Sequence, residues 1–118
     1  MSTRVKKHPA VARLVSDLKK YGGLNGTDIA NIIDVSPPSV SRWSKGIGVP
    51  SIQKQAIIAE LRWVAERLSD FYSPDEARLW LHSAHPLLKG ERPIDLINQR
   101  RTSKVLEVIE QLDSGTYL

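Results

Sequence analysis

The sequence predicts an all-α fold, on three observations. Apolar residues recur at helical steps in several windows, no window alternates apolar and polar residues at period two, and the helical windows are bounded by residues that start or stop helices. Pro9 suits a first helical turn, where its missing N–H costs nothing. From there Val11, Leu14, Val15 and Leu18 fall at i, i+3, i+4 and i+7, the stripe of a core-facing helix. Lys19 and Lys20 complement the C-terminal dipole of that helix, and Gly22-Gly23 supplies the stop. Asn25 followed by Asp28 reads as a capping pair and predicts a second, short helix from Gly26 to about Ile33. Asp34-Val35-Ser36 is then a tight connection. Pro37 and Pro38 fit only the first turn of a third helix, which Gly46 ends.

Residues 46–50 form a linker, and Ser51 caps a long fourth helix that reaches about Asp70, with Ile57, Leu61, Val64 and Leu68 on its buried face. Ser73-Pro74-Asp75-Glu76 combines a cap, a proline at the first position and an acid three residues after the cap. The fifth helix that follows carries Ala77, Leu79, Trp80 and Leu81 and stops before Pro86. Gly90 and Pro93 punctuate again. Two short helices finish the chain, Pro93 to Gln99 and Thr102 to Leu112, the latter with Val105, Val108, Ile109 and Leu112 on one side. The chain has no internal repeat and no low-complexity stretch.

At 118 residues the chain has room for one domain or two very small ones, and 41% hydrophobic with 25% charged residues is ordinary globular composition. There is no cysteine, which excludes disulfides, thiolate metal sites and cysteine nucleophiles. The longest uncharged apolar runs, residues 55–59 and 79–81, are far short of a membrane span, and no apolar signal-peptide core follows the basic N-terminus. The expectation is a cytoplasmic protein with no membrane partner. Residues 1–62 carry ten Lys and Arg against four Asp and Glu, a balance of +6, whereas residues 63–118 carry seven against nine, a balance of −2. A basic half joined to a mildly acidic half suggests a polyanion partner for the first and a different partner for the second. The alternative is a solvated surface with accidental asymmetry.

Residues 27–46 hold the most specific pattern. Ala30, Ile33, Val35, Val40 and Trp43 are spaced as a helix-turn-helix needs them: a small residue lets the two helices approach, a β-branched one fills the corner, and Val40 and Trp43 anchor the second helix. Pro37, Pro38, Ser39, Ser41, Arg42 and Lys45 are left on the outward face. Such a helix fits the major groove, with Arg42 bidentate to a guanine edge and the serines and Lys45 on phosphates. An ordinary helical hairpin with a solvated, serine-rich face has the same spacing.

The segment from Ile29-Ala30-Asn31-Ile32-Ile33 through Ser39-Val40-Ser41-Arg42-Trp43-Ser44-Lys45-Gly46, closed by Val49-Pro50, resembles the Xre-type, phage-repressor helix-turn-helix. Pro37-Pro38 departs from that family, which often puts polar base-reading residues there, so Arg42 carries more of any readout. The second half has its own resemblance. Trp80-Leu81-His82-Ser83, Pro86-Leu87-Leu88 with Gly90, Pro93-Ile94-Asp95-Leu96-Ile97, and Val105 with Val108-Ile109 up to Gly115 are similar to the toxin-binding domain of the Xre/MbcA/ParS antitoxins. The two matches together cover residues 25–118 in the family's order. His85 stands where an asparagine is usual, and the glycine normally found between the last two helices is absent from Asn98-Gln99-Arg100-Arg101-Thr102.

The resemblance implies an antitoxin with two functions: residues 1–50 a DNA-binding domain that represses the shared operon, residues 51–70 a connecting helix, and residues 71–118 a domain that binds and blocks a RES-domain toxin that degrades NAD. It also implies a homodimer or a hetero-oligomer with toxin, no cofactor and no enzymatic activity of its own. The DNA contacts fall on Pro38, Ser39, Ser41, Arg42 and Lys45. Arg92, Arg100, Arg101, Thr116, Tyr117 and Leu118 are the exposed-looking groups placed against the toxin, a terminal tyrosine being a favoured interface anchor. Tyr117 folding back on the last helix is the competing arrangement. A plain DNA-binding regulator, with residues 71–118 serving only to dimerise, is the competing function.

Other chemistry is sparse. His82 and His85 lie three apart with no third ligand in the pattern, so a satisfied or solvated pair outweighs a metal site. Ser39, Ser41 and Ser44 lack a His/Asp relay, and Asp75 and Glu76 are explained by capping. Trp63 and Trp80 read as core or dimer contacts. Gly46 and Gly48 follow a helix rather than a strand, so they do not make a phosphate loop.

Overall fold

The structure, a computed structural model, describes residues 8–114, so Thr116, Tyr117 and Leu118 lie outside the described residues. The all-α expectation holds: seven α-helices and one 3-10 helix, with no strand among the described residues. They are α1 (Pro9–Gly22), α2 (Gly26–Ile33), α3 (Pro37–Ser44), α4 (Ile52–Leu68), α5 (Pro74–His82), the 3-10 helix Pro86–Leu88, α6 (Pro93–Asn98) and α7 (Thr102–Asp113).

The caps set these bounds. Asn25 and Asp28 close a full capping box on α2, and Ser73 and Glu76 close another on α5. Ser51 caps α4. Ser36, which the sequence places in the connection after α2, is the N-cap of α3: its hydroxyl accepts the Ser39 N–H at 3.3 Å. α4 ends at Leu68, short of Asp70. There the Ser69 hydroxyl donates to the Glu66 carbonyl at 2.5 Å, and the Phe71 and Tyr72 amides turn back onto the Leu68 carbonyl. The glycine missing between the last two helices has a structural counterpart: Arg100 takes a left-handed backbone, φ 61°, between α6 and α7.

One hydrophobic cluster draws residues from every helix. Its middle is the inner face of α4, where Ile58, Leu61, Val64, Ala65 and Leu68 are fully buried. α4 packs against α1 and α2 from the first half of the chain and against α6 and α7 from the second. Leu14, of the predicted α1 stripe, is only partly buried at the edge of this core. Leu79 stands in solvent on α5, and so does Trp63 on α4, while Trp80 packs at the core edge against the His85 ring, centroids 4.5 Å apart.

Polar contacts also tie the first half to the second. Asp28 on α2 receives two hydrogen bonds from the Arg78 guanidinium on α5, at 2.9 and 3.0 Å. The last carbonyls of α2 are satisfied from outside the helix: Asn98 Nδ2 donates to Ile32 O at 2.7 Å and Lys54 Nζ to Ile33 O at 2.6 Å. α4 reaches α7 through Glu60, which accepts from the Thr102 hydroxyl, and through Arg67 beside Asp113.

Candidate functional site

Two separate faces carry the residues singled out in the sequence. The first is the outer side of α3. Val40 and Trp43 point into the core and hold the helix down, and Ala30 on α2 is fully buried beneath it, with Val35 filling the corner. This leaves Pro37, Pro38, Ser41, Arg42 and Lys45 exposed, as the spacing predicts. Ser39 differs. It is half-buried, its hydroxyl lies 2.9 Å from that of Ser36, and it accepts an N–H from Arg42 at 3.2 Å. Ser39 thus orients the Arg42 guanidinium along the helix rather than standing alone as a contact group.

Beside this face runs a groove of about 280 Å³ lined by Lys19, Asn25, Gly26, Thr27, Pro37, Val40, Ser41 and Ser44. It brings the cationic end of α1 and the N-terminus of α2, whose peptide dipole favours anions, next to α3. Sequence reasoning did not assign Lys19 or Thr27 to a site. The available signal was the Asn25 cap, since it marks where the free N–H groups of a helix gather.

The second face belongs to the last third of the chain. Arg92, Arg100 and Arg101 are all exposed, as expected, and each already has a carboxylate neighbour. Arg92 forks onto Asp95 at 2.9 and 3.0 Å, Arg100 meets Glu60 at 2.8 Å, and Arg101 lies 3.5 Å from Glu91. The three do not converge. Arg92 lines a polar cleft of about 280 Å³ between α2, α5 and α6, together with Asp28, Asn31, His82 and Asn98. Arg101 lines a different cleft of about 200 Å³ between the 3-10 helix and α7. Charge alone marks these arginines as surface residues in the sequence, but the clefts themselves come from chain folding and had no local signal.

No group of three or more His, Cys, Asp or Glu that could hold a metal exists among the described residues. His82 Nδ1 is 2.8 Å from the Arg78 carbonyl and His85 Nε2 is 2.9 Å from the Trp80 carbonyl, so each ring is engaged by the backbone of α5. No helix among the described residues is long and apolar enough to cross a membrane. The Asp28 carboxyl is held below the usual carboxylate range, chiefly by the hydrogen bonds from Arg78.

Comparison with known proteins points to one kind of protein. Residues 70–115 match the antitoxin Xre/MbcA/ParS C-terminal toxin-binding domain. The chain is 34% identical over 109 residues to the mycobacterial cidal antitoxin MbcA of Mycobacterium tuberculosis and of Mycobacterium bovis, covering 92% of this chain and 96% of the relative. It is 30% identical over 118 residues, the whole of both chains, to a probable mycobacterial cidal antitoxin of M. tuberculosis. The crystal structure of the M. tuberculosis MbcT–MbcA toxin–antitoxin complex contains a chain with the same fold: TM-score 0.80, 32% identity, 91% of this chain and 96% of that one covered.

Proposed function

The chain belongs to the Xre/MbcA/ParS antitoxin family, and on that premise we propose that it is the antitoxin of a toxin–antitoxin pair, neutralising a RES-domain toxin that degrades NAD by binding over its active site and repressing the shared operon by binding operator DNA. The observation that carries the toxin arm is the end-to-end match to an antitoxin whose fold is known in complex with its toxin. Residues 71–118 form the toxin-binding part, with Arg92, Arg100, Arg101 and the terminal Thr116, Tyr117 and Leu118 as contact groups. Residues 51–70 connect it to a DNA-binding part, residues 1–50. Neutralisation of this kind needs no turnover by the chain itself: occupying the partner's active site is sufficient.

The DNA arm is supported by the exposed α3 face and by the +6 balance of residues 1–62. In this reading Arg42, steadied by Ser39, reads a base edge, while Ser41 and Lys45 contact phosphates and Pro38 packs on a thymine methyl. Lys19 and the N-terminus of α2 add phosphate contacts at the rim of the neighbouring groove.

The test of the toxin arm is copurification of the tagged chain from its host, followed by an NAD-consumption assay on the partner. The expected result is a stoichiometric partner that consumes NAD only after the antitoxin is removed, and weaker neutralisation by a chain lacking residues 116–118. A clean preparation with no partner that still shifts its own promoter DNA would replace this reading with that of a plain regulator. For the DNA arm, Arg42→Ala is expected to weaken operator binding by about 10- to 100-fold, corresponding to about 1–3 kcal/mol for a base-reading arginine. Unchanged affinity in a salt-matched titration would remove Arg42 from the interface.

A further inference from the structure

The polar cleft between α2, α5 and α6 holds about 280 Å³, near the lower end of the volumes that small-molecule sites occupy. Its floor is apolar, since Ile32 and Ile94 line it and are otherwise buried. Around that floor stand polar side chains whose hydrogen-bonding capacity the chain does not use up. The Asn31 carboxamide is exposed and has no partner among the described residues. Asn98 donates its Nδ2 to the Ile32 carbonyl, which leaves its Oδ1 open. His82 Nδ1 faces the Arg78 carbonyl, which can only accept, so this nitrogen carries the proton and Nε2 of the neutral ring is left as an acceptor. Arg92 gives Nε and Nη2 to Asp95 and keeps Nη1 free. The two carboxylates of the cleft are each matched by an arginine, Asp28 by Arg78 and Asp95 by Arg92, so the walls suit a neutral hydrogen-bonding ligand rather than an ion.

We propose that this cleft binds the adenine base of a nucleoside. A free carboxamide is the group that reads adenine: its oxygen accepts from the 6-amino group while its nitrogen donates to the adjacent ring nitrogen. The second hydrogen of that amino group then has Asn98 Oδ1 or His82 Nε2 to donate to, and Arg92 Nη1 supplies a donor for another ring nitrogen. The face of the base rests on Ile32 and Ile94. Guanine is disfavoured for two reasons. The arginine fork that would take its O6 and N7 is occupied by Asp95, and its 6-oxo group would bring an acceptor against acceptors. A phosphate adds nothing, because both arginines already have carboxylate partners. The cleft joins α2 of the first half to α5 and α6 of the second, the kind of junction where ligand sites form. This inference rests on the cleft alone, and on neither the toxin nor the DNA reading.

The test titrates the full, isotope-labelled chain with adenosine, inosine and adenosine 5′-monophosphate, and follows backbone and side-chain NMR shifts. Adenosine is expected to bind with a dissociation constant on the order of 100 µM. It should shift the side-chain amides of Asn31 and Asn98 and the methyl groups of Ile32 and Ile94. Inosine carries an oxo group in place of the amine and is expected to bind about 10-fold more weakly, or worse. The monophosphate is expected to bind no more tightly than adenosine. Asn31→Ala is expected to raise the adenosine dissociation constant about 10-fold. Its unfolding temperature should match that of the parent chain, because the Asn31 side chain is exposed and holds nothing in the fold. Absence of saturable shifts at millimolar adenosine, equal affinity for inosine, shifts confined to another part of the chain, or an affinity unchanged by Asn31→Ala would each overturn the proposal. So would tighter binding of the monophosphate, since the site would then take the phosphate and not the base.

Discussion

Replacing Gly23 by alanine is expected to lower stability by about 3 kcal/mol or more, and the unfolding temperature by roughly 10 °C or more. Gly23 ends α1 in the left-handed region, φ 63°, with its N–H donating to the Leu18 carbonyl. A Cβ there would sit 2.4 Å from the Pro74 carbonyl oxygen and 2.8 Å from its carbon. The obstacle is backbone in the first turn of α5, not the tip of a flexible side chain, so relief requires α1 and α5 to move apart. The conformational part of the penalty is about 1–2 kcal/mol, and the clash adds the rest. Gly48 provides the control. It has a similar φ of 69°, but a methyl added there would meet nothing within 4 Å, so Gly48→Ala carries the conformational part alone. Thermal unfolding followed by circular dichroism compares the two. Equal losses would mean that the approach of α1 to Pro74 is not tight in solution.

Asp28→Ala is the second large effect, with an expected loss of about 2–3 kcal/mol at neutral pH. This carboxylate is 8% exposed and accepts three hydrogen bonds: from the Asn25 amide at 3.0 Å and from two nitrogens of Arg78. Its removal breaks one half of the capping box, the bond from the Asn25 N–H, while the Asn25 side chain still caps α2, and leaves the Arg78 guanidinium without its partner on the opposite element. A double-mutant cycle with Arg78→Ala separates the two contributions, since the capping part persists in the Arg78→Ala background.

The pH dependence has a definite sign. The folded carboxyl of Asp28 is depressed, mainly by Arg78, so the unfolded chain takes up the proton first as pH falls. The stabilisation is complete above the unfolded carboxylate range, near pH 4, and is lost as pH falls through the folded value. The difference in denaturation midpoint between the parent chain and Asp28→Ala should therefore be constant from about pH 5 to pH 7 and shrink below that. A difference that stays unchanged on acidification would show that the ion pair is not formed.

The Asp28–Arg78 pair also shows where sequence reading stops. Asn25 and Asp28 are three residues apart, so their capping box is visible in the sequence as a local pattern, and the structure has it with both bonds made. Arg78 lies 50 positions further on, and nothing in its neighbourhood marks it as the partner of a helix cap. Asn98 and Lys54 are alike in this respect: their bonds to the last carbonyls of α2 join segments that only folding brings together. The outer face of α3 was legible because Val40 and Trp43 fix its orientation by periodicity alone. The engagement of Ser39 was not, because it depends on the rotamers of Ser36 and Arg42.

Helix existence, helix starts and the all-α class were set by the sequence itself, because caps, prolines and apolar periodicity act over three or four residues and need no distant partner. Tertiary structure decided which of those helices touch. It placed α4 at the centre of one core, brought Pro74 against Gly23, paired Asp28 with Arg78, and split Arg92 from Arg101 into different clefts. It also left Trp63 and Ile52 in solvent on a helix whose other side is buried. Periodicity reports that a side chain is apolar. Only the packing of the whole chain determines whether that chain covers it or a partner must.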